Sequence, residues 1–439
     1  MPGTNGQAPD GHAADRQGPE AETSEAPAPA PQVLERVERI WFPHFIRGVA
    51  CLVIVWEHLA HEYLLVPSAV KTLAFTDVNV GLGIRPPAVE IKLYEWLGVL
   101  KVSPGLIAIF LFFLVSGFVI PFSLERRTAS GFLVRRFFRV YPTLWVALGI
   151  TLSVLALQAF LTDAAFPFGK KDIAASAGLV AGYVGRPWVD SIYWTLAVEE
   201  LFYALAVIAV WRGVLHRRST VLVGALILAG VCLVAVPGGS PAAPSLLWWF
   251  RQGLSRNAGF AVVTMIGVLF HEHYQRRWDT RTCLLLGAAV LGAFFAALQG
   301  GPFPGNQAGI YFASSVGATL VFGTMYLLRR HVPYVKAIDW VANGSYPLYL
   351  LHVVTGMIVM HSLYERIHSF YVVVPLTFAV VLAMAAIVHK VVETPAMNLG
   401  RRISSRPRFR LPDHRAPVPP PAPAPVPTAP PVAPGVEIA

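Results

Sequence analysis

The sequence predicts an all-α protein, a polytopic integral membrane helical bundle of about ten transmembrane helices. Of its 439 residues, 55% are hydrophobic and only 14% are charged, and the mean hydropathy is +0.55. A soluble domain has about 25% charged residues, so the composition excludes that class. Long apolar runs recur along the chain, and basic residues are concentrated between alternate runs. Together these observations predict repeated crossing of a bilayer.

A transmembrane helix needs roughly 20 mostly apolar residues. Such segments lie at about 48–66, 104–123, 140–161, 191–211, 220–237, 257–271, 282–299, 309–328, 344–362 and 371–391. The segment 257–271 is short and has polar flanks. The segment 173–185 is too short to span, and we interpret it as re-entrant or interfacial.

The distribution of lysine and arginine predicts the orientation of the bundle, because cytosolic loops are enriched in both. Basic groups occur near both ends and in every second loop, at Arg36/Arg39/Arg47, Arg126/Arg127/Arg135/Arg136/Arg139, Arg212/Arg217/Arg218, Arg276/Arg277/Arg281, Arg329/Arg330/Lys336 and Arg401/Arg402/Arg406/Arg408/Arg410. An even number of spans with both termini in the cytosol satisfies this pattern. The net charge of +10 is spread over these loops instead of forming one basic domain, so no nucleic-acid partner is expected.

The two ends of the chain differ in composition from the middle. Residues 1–34 are polar and have no apolar core, so we predict a disordered cytosolic tail and no signal peptide. Residues 403–439 are basic and then rich in proline and alanine, which predicts a second disordered tail. The transmembrane domain is therefore predicted at 35–402. The three cysteines, Cys51, Cys232 and Cys283, have no paired spacing that would indicate a disulfide or zinc site.

The first predicted span contains a titratable pair that a membrane interior disfavours. Arg47 and His58 are eleven positions apart, which puts them on one helix face, roughly 16 Å apart along the axis. Arg47 would lie at the cytosolic mouth, where it also suits a positive-inside anchor. His58 would lie near mid-membrane, where a titratable group is costly and usually functional. Glu57 adjoins His58 but is expected to point elsewhere.

Two adjacent carboxylates, Glu199 and Glu200, lie about 12 Å from the outer end of the fourth predicted span. On a helix they point about 100° apart, so one can face the bundle interior while the other meets a polar group of a neighbour. This pattern fits a catalytic carboxylate, and it equally fits a proton relay.

Further polar groups lie at the predicted cytosolic ends of three spans. Arg135, Arg136 and Arg139 precede the apolar part of the third span. They suit either lipid-headgroup anchoring or a seat for the phosphates of a cytosolic donor. The ninth span begins with four polar groups, Ser345, Tyr346, Tyr349 and His352, and the tenth ends at Glu393.

Taken in order, these segments resemble the membrane-bound acyltransferase 3 family of bacterial O-acyltransferases. The resemblance runs from about residue 38 to 402 and rests on Arg47 with His58 and on IFLFFLVSGFVI, RRFFRVYP, YWTLAVEELFY, GSYPLYLLH and VVETP. Two-domain members have an extracytoplasmic SGNH-type esterase domain after the membrane part. This chain instead ends in a proline-rich tail, so the stand-alone form is expected.

The resemblance implies transfer of an acyl group, commonly acetyl, from cytosolic acyl-CoA to a hydroxyl of a carbohydrate, glycolipid or glycosylated metabolite. It implies a multi-pass protein of the bacterial cytoplasmic membrane, with no permanently bound cofactor and no metal. The residues that match its functional motifs are Arg47, His58, Glu199 and, for acyl-CoA binding, Arg135, Arg136 and Arg139.

A thioester is already activated, so the enzyme must supply a base, charge stabilisation and exclusion of water. We expect His58 to take the acceptor proton in a direct attack, and a covalent acyl-histidine route stays open. Arg47 and the Arg135 cluster would hold the CoA phosphates, and Glu199 would orient or charge a neighbour. Tyr349 and His352 are expected along the acceptor path. Ser116 either reaches that path or is a small residue for helix packing.

The alternative is a proton-coupled transporter or flippase in which His58, Glu199 and Glu200 relay protons. Its arginines would bind an anionic substrate. The ordered set of motifs favours the acyltransferase, because a transporter has no reason to contain them. A catalytically inactive relative is disfavoured because Arg47 and His58 are both present.

Overall fold

The computed structural model describes residues 40–63, 87–125, 127–214, 216–234, 244–303 and 307–405. Within these ranges the chain forms helices joined by loops, with no β-strand. The predicted tail 1–34 and residues 406–439 of the second predicted tail lie outside the described ranges, so those predictions stay open.

Fifteen α-helices follow one another in the described chain, together with two π-helical turns and one 3₁₀ turn. They are α1 Trp41–Trp56 with the π-turn Glu57–Glu62, α2 Ala88–Val99, α3 Pro104–Glu125, α4 Ala129–Leu161, α5 Lys170–Ala177 with the 3₁₀ turn Ala181–Tyr183, α6 Tyr193–Trp211, α7 Arg218–Val234, α8 Leu246–Tyr274, α9 Thr280–Gly300, α10 Ala308–Leu327, α11 Lys336–Asn343, α12 Ser345–Leu351, α13 Val354–Tyr364, α14 Phe370–Val388 with the π-turn His389–Glu393, and α15 Thr394–Ser404.

The helices confirm the predicted polytopic bundle. Eight stretches of the described chain are long and apolar enough to cross a membrane, and α12 with α13, bent by 60° at their junction, makes a ninth. The shorter α7 is an apolar helix of 17 residues. Each of the ten predicted segments thus falls on an apolar helix. Large apolar side chains remain exposed on the outside, as a lipid-facing surface requires, among them Phe160, Trp211 and Leu327.

One predicted span is much longer than the sequence suggested. Helix α8 begins at Leu246 instead of residue 257, because neighbouring elements satisfy polar groups in its first half. The Arg256 guanidinium lies 5.4 Å from the centre of the Trp194 ring, and the Asn257 amide donates to the Tyr183 hydroxyl at 2.7 Å. The segment 173–185 forms α5 and the 3₁₀ turn, so it is too short to span, as predicted.

Helices α3 and α8 form the centre of the bundle. In the most apolar 18-residue window of each, 67% of α3 and 83% of α8 is buried inside the protein, against 28% for α9. Gly117 of α3 and Gly267 of α8 let the two backbones touch, since a Cβ on Gly117 would lie 2.9 Å from the Gly267 Cα. Small residues at such contacts are typical of membrane helix pairs.

Hydroxyl and carboxylate side chains fix where three of the spans begin. Thr128 accepts from the Gly131 N–H at 2.9 Å, and Ser245 accepts from the Trp248 N–H at 3.2 Å. Asp279 accepts from the Thr282 N–H at 3.1 Å. Each bond satisfies one of the free N–H groups in a first helical turn, so α4, α8 and α9 start at defined residues.

The end of α1 is wound as a π-helical turn packed against α2 and α3. Glu57 is buried and accepts from the Tyr94 hydroxyl at 2.5 Å and from the Ser103 hydroxyl at 3.4 Å. The His61 ring stacks on the Tyr94 ring with centroids 3.3 Å apart. Glu57 therefore faces α2. Turns of this kind, with backbone bonds from i to i+5, occur frequently at functional sites.

Candidate functional site

A cavity of about 70 Å³ lies where α1, α3, α4, α6 and α12 meet. It brings together five of the residues predicted from the sequence, from five different helices. Its lining comprises Arg47, Ile109, Phe112, Phe113, Ser116, Arg139, Val140, Thr195, Leu196, Glu199, Tyr203, Ser345, Tyr346 and Tyr349. The mainly apolar wall would strengthen any electrostatic interaction made inside it.

The polar side chains of this cavity leave an excess of positive charge. Among the described residues, neither Arg47 nor Arg139 makes a hydrogen bond or an ion pair. Glu199 accepts from the Ser116 hydroxyl at 2.8 Å. Two guanidinium groups thus share a cavity with one carboxylate that is already held by a hydroxyl. Such an arrangement favours an anion, because free arginine donors match phosphate and carboxylate oxygens.

His58 is not among the residues that line this cavity. Its Nδ1 lies 2.8 Å from the Ile54 carbonyl oxygen and 3.2 Å from the Nε2 of His352. Since a carbonyl oxygen only accepts, Nδ1 has the hydrogen, and in the neutral ring Nε2 keeps the lone pair. That Nε2 lies 3.7 Å from Glu62, and the His58 side chain is 12% exposed. The basic atom of His58 therefore points towards Glu62.

Two buried side chains of the broken helix α12–α13 connect the cavity to His58. Tyr349 lines the cavity, and its hydroxyl lies 2.8 Å from that of Thr195. The Tyr349 ring centre is 5.5 Å from that of His352, and the His352 ring centre is 5.0 Å from that of His58. A continuous row of polar side chains thus leads from the cavity to the histidine pair.

The predicted basic cluster divides among three environments. Only Arg139 lines the cavity. Arg135 donates from Nε to the Ser404 hydroxyl at 2.6 Å, and the Arg136 guanidinium lies about 5 Å above the rings of Phe132 and Tyr203. Glu200 lies outside the cavity lining, close enough to Arg136 for electrostatic attraction.

Asp190 is a buried carboxylate close to the histidines that the sequence analysis missed. It precedes α6, its side chain is fully buried, and it accepts from the backbone N–H groups of Ile192 at 3.2 Å and Val354 at 3.3 Å. The only sequence signal was one acidic residue beside an apolar run, which usually indicates a loop. Its partner Val354 is 164 positions away, so only the fold reveals the contact.

Burial raises the pKa of Asp190 to about 7, against the opposing effects of its two backbone bonds and of His58. Tyr193 and Tyr349 also face it.

Because the native state binds the Asp190 proton more tightly than the unfolded chain, stability should fall as pH rises from about 4 to about 7. We expect the thermal midpoint of the wild type to drop over this interval more than that of Asp190→Asn, measured in detergent. Parallel curves for the two proteins would contradict the prediction.

A second titratable cluster lies where α3, α8 and the residues before α7 and α9 meet. Glu125, His216 and Glu272 offer ligand atoms within 4.8 Å of one another, as a metal site would require. However, the Arg277 Nη1 lies 2.9 Å from Glu125, 2.9 Å from His216 and 3.2 Å from Glu272. The guanidinium therefore supplies positive charge at the centre of this cluster.

A family model described as an acyltransferase domain, that of the acyltransferase 3 family, matches residues 40–389. The match includes α1 to α14, and with them the cavity, the histidine pair and Asp190. No curated protein and no solved structure matches the chain.

Proposed function

Because the chain belongs to the acyltransferase 3 family, we propose that it moves an acyl group from cytosolic acyl-CoA to a hydroxyl of a carbohydrate, glycolipid or glycosylated metabolite. Family membership supports a multi-pass membrane acyltransferase in general. We further propose acetyl-CoA as the donor, the bacterial cytoplasmic membrane as the location and the cytosol as the side of both termini.

The single observation that supports this function best is the state of His58. Its Nδ1–H is committed to the Ile54 carbonyl, so in the neutral ring the lone pair is on Nε2, which faces Glu62 at 3.7 Å. An imidazole with its lone pair on the outward nitrogen is suited to remove a proton from a hydroxyl. We therefore propose His58 as the general base.

We propose the arginine-lined cavity as the site that holds the donor. Arg47 and Arg139 are available for an anion, because Glu199, the one carboxylate in the cavity lining, already accepts from Ser116. The phosphates of acyl-CoA are the anions that the proposed reaction brings to this protein. Glu199 would keep the two guanidinium groups oriented, and Ser116 would keep Glu199 in place. Arg135 and Arg136 would act less directly, through Ser404 and through the Phe132 and Tyr203 rings.

We propose that the acceptor approaches His58 from the side of Glu62. In the neutral His58 ring the lone pair is on Nε2, because Nδ1 has the hydrogen. The Glu62 carboxylate lies 3.7 Å from this Nε2. His61 follows in the same π-helical turn, and its ring stacks on that of Tyr94. Carboxylate oxygens accept from hydroxyls and aromatic faces pack against apolar ring surfaces, which suits a sugar.

In the proposed step, the Nε2 of His58 takes the proton of the acceptor hydroxyl while its oxygen attacks the thioester carbonyl. The tetrahedral intermediate collapses as the carbon–sulfur bond breaks. The CoA thiolate leaves and takes the proton from the His58 imidazolium, so an ester and free CoA are formed and the base is regenerated. Tyr349 and His352 lie between the donor cavity and His58.

This function is tested by giving purified protein in detergent labelled acetyl-CoA, with and without a bacterial glycan extract. We expect CoA release and labelling of a glycan by the wild type. The variant His58→Ala should lower both by at least about 10²-fold, the usual contribution of a general base.

The matched control is His361→Ala, which removes another partly buried histidine with a nearby glutamate, 3.4 Å from Glu365. It should retain activity. Equal CoA release by wild type and His58→Ala would overturn the role of His58. If no acyl-CoA of any chain length yields CoA, the acyltransferase proposal fails, and proton-coupled transport should be measured in vesicles.

A further inference from the structure

The break between α12 and α13 is fixed by a carboxylate from another part of the chain. The two helices meet at 60°, with His352 and Val353 between them. A new helix that begins there has N–H groups without an intrahelical partner. Asp190 accepts one of them, that of Val354, with one carboxylate oxygen, and accepts the Ile192 N–H with the other. The loop before α6 is thereby tied to the start of α13.

The break also determines the hydrogen-bonding state of His352. Its Nδ1 lies 2.7 Å from the Tyr349 carbonyl oxygen, so that nitrogen is the donor. In a neutral ring, Nε2 is then an acceptor, and it lies 3.2 Å from the Nδ1–H of His58. The His352 side chain is fully buried, so no water competes for this nitrogen. The tautomer of His352 thus favours a hydrogen on the Nδ1 of His58.

We propose that Asp190 and His352 are positioning residues that hold His58 with its hydrogen on Nδ1 and its lone pair on Nε2, facing the acceptor. His352 acts directly on His58, and Asp190 acts through the break that places His352. The inference rests on the proposed function of His58 as base. It replaces the predicted place of His352 on the acceptor path with a place behind the base.

This arrangement follows the logic of hydrolase triads, in which a buried group orients a histidine and stabilises its protonated form. Here the orienting group is a second, neutral histidine. When His58 takes a proton, the positive ring keeps its Nδ1–H bonds to His352 and Ile54. These bonds are stronger to the charged ring of the reacting state than to the neutral ring, so they should act on kcat.

The kinetic test compares two substitutions at position 352. His352→Leu removes one of the two acceptors of the His58 Nδ1–H and should lower kcat by about 10²-fold with little change in the KM for acyl-CoA, because the Ile54 carbonyl alone then holds the imidazolium of the reacting state. His352→Gln restores an acceptor and should keep kcat within about tenfold of the wild type. If His352 had a purely structural role, the kcat values of the variants would instead follow their thermal midpoints.

A double-mutant cycle tests whether Asp190 acts through His352. Asp190→Asn should lower kcat alone, and adding it to His352→Leu should cause little further loss, because both changes remove the same support. Fully additive losses would overturn the link between the two residues. Equal kcat values for His352→Leu and the wild type would overturn the role of His352.

A spectroscopic test does not depend on turnover. In protein with ¹⁵N-labelled histidine, the signals of His58, assigned by their loss in His58→Gln, should report a hydrogen on Nδ1. They should shift in His352→Leu, where the Ile54 carbonyl alone accepts from Nδ1, and move back in His352→Gln. Unchanged signals would overturn the inference. Absence of CoA release by the wild type would instead overturn the proposed function, and these spectra would still decide the positioning role.

Discussion

Replacing Arg47 with alanine is expected to lower kcat/KM for acyl-CoA by about 10- to 10²-fold, the loss expected when a hydrogen bond between charged groups, worth about 1.5–3 kcal/mol, is removed. Arg47 and Arg139 face the same cavity, and Glu199 is their one acidic partner in its lining. Without Arg47, the positive excess that attracts phosphates disappears. Arg47→Lys should recover part of the loss, because it restores the charge without the planar fork. Steady-state CoA release over a range of acyl-CoA concentrations measures both parameters.

The matched control is Arg281→Ala, which removes an exposed arginine from the first turn of α9, away from the cavity. Its KM should equal that of the wild type. Arg139→Ala should raise the KM as Arg47→Ala does, whereas Arg135→Ala should act mainly through its lost bond to Ser404. A wild-type KM in both Arg47→Ala and Arg139→Ala would contradict donor binding in this cavity.

The second large effect is expected on folding, from Gly117→Ala. A Cβ at this position would overlap the carbonyl oxygen of Thr264 and lie 2.9 Å from the Gly267 Cα. Both are backbone atoms of α8, so no side chain can move aside, and the two helices must separate. We expect a loss of about 3 kcal/mol or more, the upper end for overpacking. Thermal unfolding in detergent and the yield of monodisperse protein measure it.

Gly149→Ala provides the comparison, because a Cβ there has nothing within 4 Å. Gly149 also lies in the interior of a membrane-spanning helix, α4. Its replacement should leave the midpoint unchanged or raise it slightly, since alanine favours the helix more than glycine does. Equal midpoints for the two variants would show that α3 and α8 are not packed as closely as described.

The sequence predicted the spans well because their signal is local. Apolar length alone identifies a helix such as α3, and ten such segments were located. The start of α8 was missed since Arg256 and Asn257 look incompatible with a span until their partners on α6 and the 3₁₀ turn are known. Polar groups inside a span are read correctly only when the tertiary contacts that satisfy them are visible.

Several residues of the candidate site were predicted individually, but the contacts between them were not. Arg47, Glu199 and Tyr349 were each expected to be functional, and the fold brings them to one cavity. The pairing of His58 with His352 joins residues 294 positions apart, and no local pattern encodes it. Asp190 could not be found from a sequence motif. Its side chain accepts from two backbone N–H groups, and a sequence does not show which N–H groups a side chain meets.

The contact between Gly117 and Gly267 also limits how the bundle can move. A rotation of α3 about its axis by one residue, about 100°, would bring a side chain to a place where only hydrogen fits. The close contact therefore opposes rotation of one helix against the other at this level of the bundle.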